Sequence, residues 1–110
     1  MKKLIFLLVY CFNVNINAQT IYSVDYEYQS EIKVFVVEYE YQADLLVYKV
    51  DYNYQVDGNS GLWFFTDKGY QADFKIFFVD QKYKSDLNIF FVDQKYKAKW
   101  RSNKKKYLLY

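Results

Sequence analysis

From Ile21 onward, short apolar runs alternate with polar stretches at a nearly constant interval. The chain reads IYSVDYEYQSEIK, VFVVEYEYQADLL, VYKVDYNYQVDGNSGL, WFFTDKGYQADFK, IFFVDQKYKSDLN and IFFVDQKYKAKW, in copies starting at 21, 34, 47, 63, 76 and 89. Four of the five steps are thirteen residues and the third is sixteen. The extra residues fall in Asp57-Gly58-Asn59-Ser60-Gly61, a stretch of turn formers that makes the middle of the chain its loosest point. Each copy opens with four residues rich in Val, Ile, Phe and Tyr, which favour strands. In the junction of the last two copies, Leu87, Ile89 and Phe91 alternate with Asn88, Phe90 and Val92. Both faces there are largely apolar, so that strand is covered on two sides. No apolar set at helical spacing lasts a full copy.

The pattern therefore predicts an all-β domain of about six short strands, with Tyr41-Gln42-Ala43-Asp44 and its equivalents as the reversals. Tight hairpins and solenoid corners call on Gly, Asn or Pro, which these reversals lack. The connection is expected to be wide, with side chains packed beneath it. Periodicity leaves open which all-β architecture results.

The repeat also fixes its chemistry by position. The eighth residue is tyrosine in all copies (Tyr28, Tyr41, Tyr54, Tyr70, Tyr83, Tyr96) and the fifth is acidic (Asp25, Glu38, Asp51, Asp67, Asp80, Asp93). The second is aromatic (Tyr22, Phe35, Tyr48, Phe64, Phe77, Phe90).

Ahead of the repeats, Lys2 and Lys3 precede an apolar run from Leu4 to Phe12, then a polar stretch ending at Ala18 before Gln19. Those three parts predict a secretory signal peptide, residues 1–18, cleaved between Ala18 and Gln19. The run is about half the roughly 20 apolar residues a membrane span needs, so no permanent span is expected after processing. The lone Cys11 falls inside this leader. Bulky Tyr10 before it disfavours lipoprotein processing. The mature domain, 19–110, then has no cysteine in an oxidising compartment, periplasmic or extracellular, and relies on packing alone.

Charge is uneven. Residues 19–60 hold eight acids and two lysines, whereas 61–110 hold five acids and eleven bases. Such a mature chain is formally neutral, which argues against nucleic acid as a partner. The asymmetry fits either attraction between the halves within one fold or head-to-tail association.

The block Val37-Glu38-Tyr39-Glu40-Tyr41-Gln42-Ala43-Asp44-Leu45, with Phe78-Val79-Asp80 and Phe91-Val92-Asp93, resembles the 7(1) septoil knot domain family, from about Ile21 to Tyr110. Trp100 and the Lys-rich tail look like the family's ending. Gln81 and Gln94 replace the aromatic after Asp, Lys84 and Lys97 replace Gln, and Lys99 replaces the last Asp. The resemblance implies a compact single β-rich domain with its backbone tied in a seven-crossing torus knot, and it brings no assigned activity.

Candidate chemistry is sparse. The chain has no histidine, and its mature serines have neither histidine nor cysteine as a partner, so no enzymatic activity is expected. The acids form a ladder, as structure requires, rather than one odd pair. They lack calcium-loop spacing, and no metal or cofactor is assigned; they are expected to accept hydrogen bonds from backbone or tyrosine hydroxyls at strand ends. For the six tyrosines the expectation is an internal spine, since aromatics make up 24% of a small chain and must supply the core. The alternative is an exposed ladder that binds sugars or peptides, with Tyr28, Tyr41, Tyr54, Tyr70, Tyr83 and Tyr96 joined by Trp100, Lys104, Lys105 and Lys106 of the basic tail. That tail is expected to be a solvated face, its apolar last residues docking on the domain. The functional expectation is a non-enzymatic, exported, kinetically stable structural or interaction module, monomeric. Its alternative is an envelope protein that binds polysaccharide or peptide. Self-assembly through unpaired strand edges is a third possibility.

Overall fold

A computed structural model describes residues 19–52 and 60–109. Residues 1–18, where the signal peptide ending at Ala18 is expected, and residues 53–59, which include Tyr54, lie outside the described residues. The apolar start of each copy forms a strand: β1 (Gln19–Ser23), β2 (Ile32–Val36), β3 (Leu45–Lys49), β4 (Leu62–Phe65), β5 (Phe74–Phe78) and β6 (Leu87–Phe91). Strands begin one or two residues ahead of the copy boundary, because position twelve is apolar as well (Ile32, Leu45, Phe74, Leu87). A two-residue β7 (Lys99–Trp100) adds antiparallel to β3, with Trp100 opposite Leu45.

The architecture that periodicity left open is a closed barrel. The six long strands are parallel and run β4-β1-β5-β2-β6-β3 around the ring, where β3 meets β4 again. Each strand from the acidic half of the chain lies between two from the basic half. Closure gives all six a partner on both sides, which removes the unpaired edges that self-assembly would need.

The expected reversals do not make antiparallel hairpins. Between β1 and β2, β2 and β3, β4 and β5, and β5 and β6 the chain instead crosses over one neighbouring strand and re-enters the sheet in the same direction, whereas β4 lies directly beside β3. Parallel strands normally need a crossover of a dozen or more residues. Here the register shortens the path. Ser23, where β1 ends, and Ile32, where β2 begins, both pair with Ile76 of β5. Val36 and Leu45 likewise both pair with Ile89 of β6. The connection therefore makes no net return along the sheet and spans only two strand spacings, roughly 10 Å. The same stagger repeated around the ring tilts the strands steeply.

The inner face carries the core. Position one, namely Ile21, Val34, Val47, Trp63, Ile76 and Ile89, is fully buried in every copy. Ile32, Leu45 and Leu87 of position twelve join it, and Phe65, Phe78 and Phe91 pack toward the other end. The expected aromatic core is thus largely aliphatic, with Trp63 its one fully buried aromatic among the described residues. On the outer face a second cluster forms under the connections, where Val37, Ala43, Leu46 and Val92 pack with Phe35 and Phe90. This is the two-sided cover expected for β6.

The C-terminal segment Asn103–Leu109, a 3-10 helix, brings Leu108 and Leu109 onto the core. The Gln19 side-chain amide donates to the Leu109 carbonyl at 2.7 Å. The apolar terminus docks, as expected. Gly61 opens β4 with φ of 95°, a left-handed conformation that favours glycine, and its backbone is packed against the Leu46 carbonyl.

Candidate functional site

Five of the connections, those among the described residues, share one local design. A single 3-10 turn covers positions seven to nine: Glu27–Gln29, Glu40–Gln42, Gly69–Gln71, Lys82–Lys84 and Lys95–Lys97. Each is held by i to i+3 bonds, such as Gln29 N–H to Tyr26 carbonyl (3.0 Å) and Lys84 N–H to Gln81 carbonyl (3.1 Å). A turn this tight cannot bury a side chain at its centre when it already rides over a strand. The central tyrosine points out. Tyr28, Tyr41, Tyr70, Tyr83 and Tyr96 are between 70% and 83% exposed.

That overturns the expected internal spine. Mostly branched aliphatics at positions one and twelve fill the barrel interior, position-four valines pack under the connections, and the tyrosines are left on the crossing turns. A signal for this exists in the sequence: the eighth-position tyrosine is flanked by Glu27 and Gln29, or by Lys82 and Lys84, which suit a solvated turn. Tyr54 lies outside the described residues.

The turns cross the strands of the opposite half. Turn 27–29 packs on β5, 82–84 on β2, 40–42 on β6 and 95–97 on β3, while Gly69 rests on the Tyr22 ring of β1. Around the barrel the tyrosines therefore run Tyr70, Tyr28, Tyr83, Tyr41, Tyr96. Charge alternates with them: Glu27, then Lys82 and Lys84, then Glu40, then Lys95 and Lys97. The opposite charges of the two halves are interleaved within one fold. In the acidic half Tyr26 stacks on Tyr28 and Tyr39 on Tyr41, each pair with centroids 5.8 Å apart. Gln81 and Gln94 replace those partners in the basic half.

The acids divide by position. Those at position eleven clamp the neighbouring strand: Asp73, Asp86 and Asp44 accept the backbone N–H of Thr20 (2.8 Å), Lys33 (2.9 Å) and Asn88 (3.0 Å). Glu31 does the same for Lys75 at 2.9 Å. The strand-end hydrogen bonds expected of the acids are met at this position. Fifth-position Asp80 and Asp93 instead face solvent and meet Lys84 (3.8 Å) and Lys97 (3.7 Å).

The tail is less free than expected. Arg101 donates to the Tyr41 carbonyl at 2.6 Å, and Lys105 lies 3.6 Å from the Asp44 carboxylate. Trp100 is half-buried against the core, Lys104 is exposed and Lys106 is half-buried. Of the candidate residues, the structure places Trp100 opposite Leu45 and Lys105 beside Asp44, both just past the Tyr41 turn, and distributes the tyrosines around the barrel. No helix among the described residues is long and apolar enough to cross a membrane.

A thirteen-residue repeat closed into this parallel ring agrees with the family comparison, in which the 7(1) septoil knot domain matches residues 18–101. The chain belongs to that family. The septoil knot match ends at the residue that ties the tail to the Tyr41 turn, so the Lys-rich segment and docked Leu109 lie outside it. No curated protein and no solved structure matches the chain.

Proposed function

We propose that this septoil knot domain is a non-enzymatic, exported interaction module, monomeric, that binds an envelope polysaccharide through its belt of tyrosines. The observation that carries this reading is the exposure of every described eighth-position tyrosine. A ring that is rigid, amphipathic and already fixed on a hydrogen-bonded turn loses little entropy when a partner stacks on it. Placing such rings outside a chain that fills its core with aliphatics gains nothing for stability, which favours recognition. Export is supported by the leader pattern, whose expected cleavage point immediately precedes β1. A knotted backbone is the family's implication, and the interleaved strand order is compatible with it. Such a scaffold would hold the belt against proteases outside the cell.

The test immobilises the protein and passes over it the polysaccharide fraction of the source envelope. Retention that is lost in a folded variant carrying Tyr28→Ala, Tyr41→Ala, Tyr83→Ala and Tyr96→Ala supports the reading. No retention, or retention equal in that variant, overturns it.

A further inference from the structure

The belt is not uniform, and its exception lies over β1. Position seven carries Glu27, Glu40, Asn53, Lys82 and Lys95 in five copies of the sequence but Gly69 in the fourth. The backbone does not demand glycine there, since Gly61 alone among the described glycines has a positive φ. The reason is contact: a Cβ on residue 69 would stand 3.2 Å from Cδ2 and Cε2 of Tyr22. With no side chain at 69, the turn lies flush on that ring and leaves its surroundings open. A cleft of ≈ 620 Å³ results, lined by Tyr22, Tyr26, Tyr28 and Tyr70 together with Asp25, Gln29 and Lys75. The equivalent place over β6 has Glu40 at position seven and Lys97 at position nine, with Phe90 and Asp93, and encloses ≈ 370 Å³. One fold thus supplies the open and the filled version of the same site.

We infer that the cleft over β1 is a binding site for a neutral oligosaccharide. The inference rests on the reading of the belt as glycan-binding and names the site and ligand class. The exposed rings of Tyr26, Tyr28 and Tyr70 offer flat apolar faces for the C–H face of a sugar ring, with the half-buried Tyr22 under the Gly69 turn as part of the wall, and their hydroxyls stay polar. Asp25 accepts hydrogen bonds, Lys75 donates them and Gln29 does both, which matches hydroxyls that act as donor and acceptor. The mixed charges also decide against ions. Lys75 opposes a quaternary ammonium that an all-tyrosine cage would otherwise attract, and Asp25 opposes a phosphate or sulfate. A cleft of this volume falls in the usual range for small-ligand sites, about 300–1,000 Å³.

The test titrates the full protein with cellotriose, maltotriose, chitotriose and mannotriose, following the tyrosine ring resonances by NMR, with tetramethylammonium and inorganic phosphate as charged probes. The expected result is saturable shifts of the Tyr22, Tyr26, Tyr28 and Tyr70 rings with at least one trisaccharide. Gly69→Glu, which restores the residue found at Glu27 and Glu40, weakens that binding by about tenfold or more. Tyr70→Ser changes an exposed ring and gives the same loss should Gly69→Glu disturb the Tyr22 contact. The inference is overturned when no trisaccharide moves these rings, when both variants bind as the wild type does, or when either charged probe binds more tightly. A variant Gly69→Glu that still retains envelope polysaccharide, in a protein blind to trisaccharides, removes the cleft and leaves the belt standing.

Discussion

Asp73 and Thr20 hold each other by two bonds: the Asp73 carboxylate accepts the Thr20 backbone N–H at 2.8 Å, and the Asp73 N–H donates to the Thr20 carbonyl at 2.7 Å. The acid thus acts as one more rung at the end of a ladder whose next strand residue has already turned away. Asp86 with Lys33 and Asp44 with Asn88 repeat the device. Replacing Asp73 by Ala orphans a part-buried N–H and costs about 1–3 kcal/mol, whereas Asp73→Asn keeps an acceptor and loses less. Asp80→Ala removes only an exposed ion pair and changes stability by less than about 0.5 kcal/mol. Urea denaturation of the three variants checks the ranking.

Exposed tyrosines make a second prediction, opposite to that of an internal spine. Tyr83 and Tyr96 touch little besides their own turns, so Tyr83→Ala and Tyr96→Ala each shift stability by about 0.5 kcal/mol or less. Ile76→Ala and Ile89→Ala, at fully buried position one, lose about 2–5 kcal/mol. Thermal melts on the four variants suffice. A tyrosine variant that falls as far as an isoleucine one would restore the spine.

The strands were legible in the chain, since each copy opens with residues rich in Val, Ile, Phe and Tyr, but the core at position one (Ile21, Val34, Val47, Ile76, Ile89) was not, because the abundance of aromatics pointed to them as the core instead. The wide connections with side chains packed beneath them followed from the repeat, and the docking of the terminus from its apolar last residues. The parallel ring did not. Which strand lies beside which depends on contacts such as Ile21 with both Phe65 and Phe74, and near-identical copies carry no mark of their neighbours. The tyrosines were misplaced for a related reason: a period reports that Tyr28 and Tyr41 are equivalent, not which way they face. The cleft over β1 was hidden because the effect of Gly69 depends on Tyr22, far from it in sequence and brought near by the interleaving.

Of the two described glycines, Gly61 at the junction of the two halves is the less tolerant of a side chain. Gly61 adopts a left-handed φ of 95°, and a Cβ there would drive into the Leu46 carbonyl. Gly61→Ala is expected to cost about 2–3 kcal/mol from backbone strain and the forced shift of β3. Gly69→Ala meets only side-chain atoms of Tyr22, at 3.2 Å, which can give by a few tenths of an ångström, and costs less than about 1 kcal/mol. Midpoints of guanidinium unfolding separate the two.

Leu109 lies outside the septoil knot match yet is 2% exposed within the core cluster of the barrel. Leu109→Ala opens that packing and costs about 2–4 kcal/mol. The buried Trp63 belongs to the same cluster, so its fluorescence in the variant moves to longer wavelength before the global transition. Emission that stays unshifted would place the docked terminus outside the cooperative unit.

The interleaving has a kinetic consequence. No strand of the acidic half can leave without displacing both of its neighbours from the basic half, and β3 is further held by β7. The contacts that must break together therefore join residues far apart in sequence, the situation in which folding and unfolding are both slow. The expected outcome is hysteresis: unfolding and refolding curves in guanidinium that fail to coincide after an hour, with an unfolding half-life in water on the order of hours or longer. Stopped-flow and manual-mixing kinetics extrapolated to water measure it. Leu109→Ala, which lowers stability without touching the ring order, should shift the midpoint more than it removes the hysteresis. Superimposable curves within minutes would mean that the strands separate one at a time, and that the ring order imposes no barrier beyond its packing.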